Sequence, residues 1–156
     1  MGYTIAMKTY KYRIYPTNAQ ETILEKMLEE CRWVYNKTLE TRKNSYEQLG
    51  VSLSYYDTKK MLPEWKIEHP TLKIVHSQVL QDVVMRVDLA FKAFFRRVKA
   101  GEDPGYPRFK GYGRYDSLCY PQYGNGVRLD VSSPTRRCSV LTGLPVSGSF
   151  VAAPKV

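Results

Sequence analysis

The stretch that decides the fold is residues 91–117, which read FKAFFRRVKAGEDPGYPRFKGYGRYDS. Its first part has the aromatic spacing of the end of an amphipathic helix, which Gly101 would terminate. A turn rich in Pro and Gly follows, and basic and aromatic residues then alternate at close spacing. Arg and Lys neutralise phosphates while Tyr and Phe stack on bases, so the second part predicts a surface that binds nucleic-acid backbone.

The positive charge of the chain is concentrated toward its two ends. The 156 residues carry a formal net charge of +9 at pH 7. Residues 17–91 are nearly balanced, with ten basic and eleven acidic side chains, whereas residues 1–16 contribute +3 and residues 92–137 contribute +6. Nucleic acid is therefore the favoured partner. A membrane is not expected, because no run approaches the roughly 18 apolar residues that a span needs.

Residues 8–15 alternate in polarity, which predicts a half-buried strand with a cationic outer face. Pro16 would close this strand, and Thr17 to Gln20 read as a capping box. A long amphipathic helix should follow until Gly50, with its charged face solvated. Its apolar positions keep helical spacing at Ile23, Leu24, Met27, Leu28, Cys31, Val34, Tyr35, Thr38 and Leu39.

Two further helices are predicted in the middle of the chain. Ser54 and Asp57 form a second capping box, opening a short helix that Pro63 should end. Ser77 should cap a second long helix, in which the Phe residues belong to the core stripe. The members of that stripe are Leu80, Val83, Val84, Val87, Phe91, Phe94, Phe95 and Val98.

The segment after the second long helix predicts a return to β-structure. Residues 117–120 could form a strand that pairs with residues 8–15, and Asn125-Gly126 indicates a hairpin turn. Beyond Asp130 there is no acid, Trp or Tyr, only a scatter of Ser, Pro, Thr and Gly among other residues. That composition predicts a disordered tail, typical of an out-of-frame or truncated end.

Two segments of the chain resemble the TnpB (OrfB) family of transposon-encoded proteins. The first is residues 7–17, MKTYKYRIYPT; the second comprises AFKAFFRR at residues 90–97, GYPRFK at 105–110 and Asp116-Ser117. The resemblance covers roughly residues 7–129. It implies the amino-terminal part of an RNA-guided DNA endonuclease related to type V CRISPR effectors, with a wedge-like β-barrel and a helical recognition insert. The RuvC-like nuclease domain of such proteins would be absent.

The expected fold class is therefore α+β. Two long amphipathic helices and a short one would form a helical bundle insert between strands of a small, incomplete wedge-like β-barrel, followed by a disordered tail. We divide the chain into a leader and first barrel strand (1–16), a helical recognition region (17–101), a basic and aromatic loop with return strands (102–130), and an unrelated tail (131–156).

No catalytic or metal site is expected in this chain. Cys31, Cys119 and Cys138 are far apart, and His69 and His76 complete no zinc pattern. No Ser or Cys has a recognisable His partner, and no cofactor motif is present. In the resembled family, three acidic residues of the RuvC-like domain hold two metal ions, and they belong to the region that is absent here.

The predicted function is nucleic-acid binding in DNA transposition and recombination, with guide-type RNA and DNA as partners, a possible transposase partner, and a cytoplasmic, nucleoid-associated location. The alternatives are a helical protein-interaction module and a non-functional remnant of a transposon gene. The candidate nucleic-acid-binding residues are Lys8, Lys11, Arg13, Arg96, Arg97, Arg108, Phe109, Lys110, Tyr112 and Arg114.

Overall fold

A computed structural model describes residues 12–122, 124–130, 137–140 and 149–154, with side chains described over residues 16–122 and 124–127. The elements in chain order are strand β1 (Tyr12–Tyr15), helices α1 (Asn18–Leu49), α2 (Tyr55–Lys60) and α3 (Leu62–Glu68), a 3-10 helix (Pro70–Ile74), helix α4 (Ser77–Lys99), and strands β2 (Val127–Asp130), β3 (Arg137–Val140) and β4 (Ser149–Pro154). None of these helices is long and apolar enough to cross a membrane.

Helix α1 begins and ends where its sequence predicts. The Thr17 N–H donates to Oε1 of Gln20 over 3.0 Å, so the side chain at the third helical position satisfies an amide that the helix leaves free. Gly50 ends the helix with φ of 65°, a left-handed conformation that glycine adopts at little cost, and its N–H donates to the Tyr46 carbonyl over 3.0 Å.

The short helices depart from prediction at Pro63. The Ser54 box is confirmed, since the Ser54 N–H donates to Asp57 Oδ2 over 2.9 Å. Pro63 does not end this segment; it lies in the first turn of α3. A proline there removes no intrahelical hydrogen bond, because the first amides of a helix have no partner within it. The segment around Trp65 is therefore helical, and Trp65 is buried.

Helices α1 and α4 pack side by side and run in the same direction. Tyr115 contacts Tyr35 of α1 and lies beneath Arg86 of α4, while farther along α1 Arg42 meets Asp88 and Phe91, also farther along α4. The parallel arrangement follows from the return of the chain through α2 and α3. The apolar core comprises Met27, Cys31, Val34, Tyr35, Leu39, Leu62, Trp65, Leu72, Val75, Val79, Leu80, Val83, Val84, Val87, Phe91 and Tyr115.

A buried ion-pair network links the two long helices. Asp88 is 5% exposed, and its Oδ1 accepts from Nη1 of Arg42 over 2.9 Å. Nζ of Lys92 lies 2.8 Å from the other carboxylate oxygen. Burial alone would raise the pKa of Asp88, but the hydrogen bonds from Lys92 and Arg42 outweigh it and hold the pKa below its usual value. Asp88 is therefore a charged cross-link between α1 and α4.

The four strands form one antiparallel sheet in the order β1-β4-β3-β2. Tyr12 of β1 pairs with Pro154 of β4, Arg137 of β3 with Val151 of β4, and Val127 of β2 with Val140 of β3. The first and last strands of the chain are thus neighbours, and β1 and β2 are the two edges. A sheet with two edges is open, whereas a barrel has none.

The predicted fold class, α+β with a helical insert between strands of a β-barrel, is wrong. Over residues 16–122 and 124–126 all of the regular secondary structure is helical, with no strand or sheet, and the short strands outside that range form no barrel. Residues 117–120 are irregular, because Leu118 and Tyr120 pack against the helical core and not into a sheet. The partner of β1 comes instead from the tail, where β3 and β4 lie in the segment for which we predicted disorder.

Candidate nucleic-acid interface

The segment of residues 104–117, here named the strap, has no regular secondary structure and lies along α1 and α4. Its middle is fixed to α1 by Asn36. The Lys110 N–H donates to Asn36 Oδ1 over 2.8 Å, and Asn36 Nδ2 donates to the Lys110 carbonyl over 2.9 Å. Arg32 Nη1 donates to the same carbonyl over 3.3 Å. One side-chain amide thus satisfies both backbone groups of a strap residue, as a neighbouring strand would.

Glu29 extends this attachment about two turns before Asn36 on α1. Its Oε2 pairs with Arg32 Nε at 2.6 Å, and its Oε1 accepts the Gly113 N–H over 3.2 Å. Gly113 has φ of 66°, so the strap turns there in a left-handed conformation. The charged face of α1, which we predicted to be solvated, is therefore used in part to hold the strap.

The far end of the strap is fixed to α4 by Arg86. The guanidinium pairs with Asp82 through Nε at 2.7 Å and donates through Nη1 to Ser117 Oγ over 2.9 Å. It also lies 5.5 Å from the ring centre of Tyr115, which is buried. Burial, opposed by the positive charge of Arg86, raises the pKa of the Tyr115 phenol. Tyr115 is consequently a neutral core residue, not a surface aromatic available to a ligand.

The near end of the strap is anchored by aromatic contacts. Tyr106 packs edge-on against Phe91 at 5.8 Å and against Phe94 at 5.4 Å between ring centres. Edge-to-face contacts of this kind add about 0.5–1.5 kcal/mol each beyond the area that they bury. The strap is thus attached to the helices at Tyr106, Lys110, Gly113 and Ser117, at intervals of three or four residues.

Between these attachments the strap exposes two cations and two aromatic rings. Arg108 and Arg114 are exposed, Phe109 is 55% exposed and Tyr112 is 84% exposed. A Tyr this exposed has no packing role, whereas its flat face is suited to a nucleobase. Four of the predicted site residues therefore lie together on a fixed backbone and point away from the core.

Lys110, also predicted to contact nucleic acid, is engaged within the protein. Its Nζ lies 5.2 Å from the ring centre of Tyr35 and 5.7 Å from that of Tyr115. A cation over two aromatic faces contributes about 0.5–2 kcal/mol to the attachment of the strap. The structure thus assigns Lys110 a contact of its own inside the fold.

The other predicted residues lie away from the strap. Arg97 is half-buried and donates through Nε to the Ala93 carbonyl over 3.2 Å, while Arg96 is exposed. Arg97 follows Arg86 by about three helical turns, or about 16 Å, so it lies on the same side of α4. Arg13 is in β1, where side chains are not described, and Lys8 and Lys11 lie outside the described residues.

Sequence reasoning missed the residues that position this surface, namely Glu29, Arg32, Asn36 and Arg86. One signal was present: asparagine is unfavourable inside a helix, because its side chain competes with the backbone for hydrogen bonds. Asn36 lies in the middle of α1 and should have indicated a tertiary role. In the part of the chain that the structure describes, no three His, Cys, Asp or Glu side chains form a metal-binding group.

Comparison with known proteins identifies the family. Residues 6–50 match the helix-turn-helix domain of OrfB proteins of the IS605 type. The chain is 32% identical over 126 residues, 80% of its length, to the Putative RNA-guided DNA endonuclease InsQ of Escherichia coli K12. It is also 32% identical over 114 residues to the virulence protein VsdF of Salmonella dublin, covering 67% of this chain and 92% of VsdF. The chain belongs to the TnpB (OrfB) family.

The chain spans less than a third of the length of two relatives named as RNA-guided DNA endonucleases. It covers 29% of InsQ and 25% of a Putative RNA-guided DNA endonuclease of Streptomyces pristinaespiralis, to which it is 34% identical over 105 residues. The resemblance predicted from the sequence is confirmed. Within the matched helix-turn-helix region, the structure assigns Asn18–Leu49 to one uninterrupted helix.

Proposed function

We propose that this TnpB-family chain binds nucleic acid in DNA transposition and recombination, contacting both DNA and a guide-type RNA, and that it does not cleave either by itself. The observation that carries the proposal is the strap. Its backbone and inward side chains are held by Asn36, Glu29 and Arg86, while Arg108, Phe109, Tyr112 and Arg114 are left exposed. A surface fixed before binding loses little conformational entropy on binding.

The exposed groups suit a single strand better than a duplex. Arg108 and Arg114 flank the two rings, so backbone phosphates could meet cations while bases stack on Phe109 and Tyr112. In a duplex the base faces are already stacked on each other and are not available to these rings. The cations available to a strand are Arg108 and Arg114 of the strap and Arg96 and Arg97 of α4, which together could neutralise about four phosphates.

The absence of cleavage is proposed from the extent of the match. The relatives named as RNA-guided DNA endonucleases are proteins of which this chain spans 29% and 25%. Their activity would then reside in the parts that have no counterpart here. Incubation of the purified chain with magnesium and end-labelled DNA or RNA should leave both intact, and metal-dependent cleavage products would contradict this part of the proposal.

A filter-binding titration against salt tests the binding surface. Neutralising about four phosphates predicts a log-log slope of about −3 on single strands, at about −0.7 per phosphate. The double substitution Arg108→Gln with Arg114→Gln removes two cations and should flatten the slope by about 1.4. The matched control, Lys60→Gln with Lys73→Gln, removes two exposed cations outside the strap and should leave the slope near the parent value.

A second substitution separates stacking from charge. Tyr112→Ala removes a ring that is 84% exposed, and should weaken single-strand binding by about 1–3 kcal/mol without changing the salt slope. If binding is insensitive to salt, or if the control pair flattens the slope as much as the strap pair, the strap is not the interface.

A further inference from the structure

The apolar stripes of both long helices continue beyond the end of the packed core. Leu49 follows Cys31 by eighteen residues, which is about five full turns, so both point in the same direction from α1. Cys31 is fully buried, yet Leu49 is 73% exposed. Val98 likewise follows Leu80 by about five turns on α4, and their exposed fractions are 48% and 0%. Each helix therefore carries its core-facing stripe into a region where nothing in the described chain covers it.

These two exposed ends lie at the same end of the molecule, because α1 and α4 run in the same direction. Tyr106 lies where they meet: it packs against Phe91 and Phe94 of α4, and the Phe91 ring centre lies 4.5 Å from the guanidinium of Arg42 of α1. Phe95, which we predicted to be a core residue, is 52% exposed at this end. We name this surface the apolar end face; its residues are Tyr46, Leu49, Phe95, Val98 and Tyr106.

One flank of the apolar end face is positively charged. Lys92, Arg96 and Lys99 are all exposed, and their spacing of four and three residues places them along one side of α4. That side lies next to the stripe that contains Phe95 and Val98. Of the two acids in α4, Asp82 is paired with Arg86 and Asp88 with Arg42 and Lys92, so Arg96 and Lys99 are the flank residues that neither acid neutralises.

We propose that the apolar end face binds an amphipathic helix of a partner protein, with apolar residues at helical spacing and an acidic flank that meets Lys92, Arg96 and Lys99. A helix laid into the space between two helix ends would complete the stripes of α1 and α4 as a third helix of the bundle. The flank of the partner helix must be acidic because Lys92, Arg96 and Lys99, beside the apolar stripe of α4, are positively charged. The face has rings at Tyr46, Phe95 and Tyr106, but its centre is formed by the aliphatic side chains of Leu49 and Val98, which do not stack on bases. Nucleic acid therefore fits this face less well than an apolar helix does.

Binding of synthetic helical peptides to the full 156-residue chain tests this inference. The probe is an eighteen-residue amphipathic peptide with Leu on one face and Glu along one flank, fluorescently labelled for anisotropy. One control peptide has the same composition in scrambled order, and another carries Lys in place of Glu. We expect the acidic amphipathic peptide to bind and both controls to bind at least tenfold more weakly.

Variants of the chain then locate the site. Leu49→Ser with Val98→Ser removes the centre of the apolar end face and should weaken peptide binding about thirtyfold, the effect of losing a central interface residue. Lys99→Glu should weaken it through charge. The matched controls are Ile67→Ser, at a position 81% exposed on α3, and Lys73→Glu on the 3-10 helix, and neither should change binding. Circular dichroism would establish that each variant retains its helices.

Three outcomes would overturn the inference. One is equal binding of the acidic and scrambled peptides. Another is that the Leu49→Ser, Val98→Ser variant loses binding to single-stranded DNA but keeps its binding to the peptide. That result would assign the face to nucleic acid. The third is concentration-dependent dimerisation of the parent chain in analytical ultracentrifugation that this variant abolishes, which would make the occupant a second copy.

Discussion

Replacing Asn36 by Ala should free the middle of the strap without removing any charge from the molecule. Asn36 is the partner of both the N–H and the carbonyl of Lys110, at 2.8 and 2.9 Å. Each such hydrogen bond contributes about 0.5–1.5 kcal/mol net, so their loss amounts to about 2 kcal/mol, or roughly a thirtyfold shift toward the open strap. The substitution also raises helix propensity by about 0.6 kcal/mol, which partly offsets this loss in overall stability.

Amide hydrogen exchange and salt titration measure the two consequences separately. The Lys110 amide should lose its protection, because Asn36 Oδ1 is the acceptor that the structure gives it, while amides in the middle of α4 stay protected. Affinity for single-stranded DNA should fall several-fold, since the surface must now be ordered on binding. The salt slope should stay the same, because every cation that meets a phosphate is still present.

Asn44→Ala is the matched control for this experiment. Asn44 is exposed on the same helix, so the substitution makes the same change in helix propensity without touching the strap. It should leave both the Lys110 amide and the affinity as they are. Unchanged protection of Lys110 in the Asn36→Ala variant, or a salt slope that drops as though a cation had been lost, would refute the reasoning.

Three other predictions concern the helical body. Asp88→Asn should destabilise the fold by about 3–5 kcal/mol in urea unfolding at pH 7, because it leaves Arg42 buried without its partner; an effect below 1 kcal/mol would show that the pair is dispensable. Folding lowers the pKa of Asp88, so the Asp88 carboxylate stabilises the fold above its unfolded pKa of about 3.9, and this stabilisation should disappear as pH falls through the folded pKa. Acid titration should therefore show the free energies of unfolding of the parent and Asp88→Asn proteins converging. A difference that stays constant with pH would contradict this. Burial raises the pKa of Cys31 to about 12, so at pH 8 its thiol should react with a disulfide reagent only as fast as the chain unfolds. Reaction within seconds in the native state would be inconsistent with the packing.

Most helix boundaries followed from sequence because each depends on residues close in the chain. The start of α4 was predicted wrongly, since the N-cap is His76 and not Ser77, and Nδ1 of His76 accepts the Gln78 N–H over 3.3 Å. Thr17 with Gln20, Ser54 with Asp57, and Gly50 act through hydrogen bonds and backbone conformations within one turn, and the structure places them as predicted. Pro63 shows the limit of this reasoning. The same residue can end one helix or begin another, and the burial of Trp65 in the core accompanies the second outcome.

The candidate surface could be predicted in part. The alternation of Arg108, Phe109, Tyr112 and Arg114 was visible in sequence, and these side chains are exposed together. Lys110 looked like its neighbours but lies over the rings of Tyr35 and Tyr115, one of them 75 residues earlier in the chain. A side chain's local pattern does not reveal which distant ring or amide it will meet.

The sequence by itself determined the family, the two long helices with three of their four ends, and the presence of a basic and aromatic segment after the second helix. Tertiary structure alone decided that the two long helices run in parallel, that the strap lies along them with Asn36 and Arg86 as its anchors, and that β1 pairs with β4 and not with residues 117–120. The physical reason is the distance along the sequence between the residues that interact. Helix starts and stops are set by bonds between residues three or four apart. The hydrogen bonds from Asn36 and Arg86 to the strap, and the pairing of β1 with β4, join residues separated by about 30 to more than 130 positions, and many such pairings satisfy the same local pattern equally well.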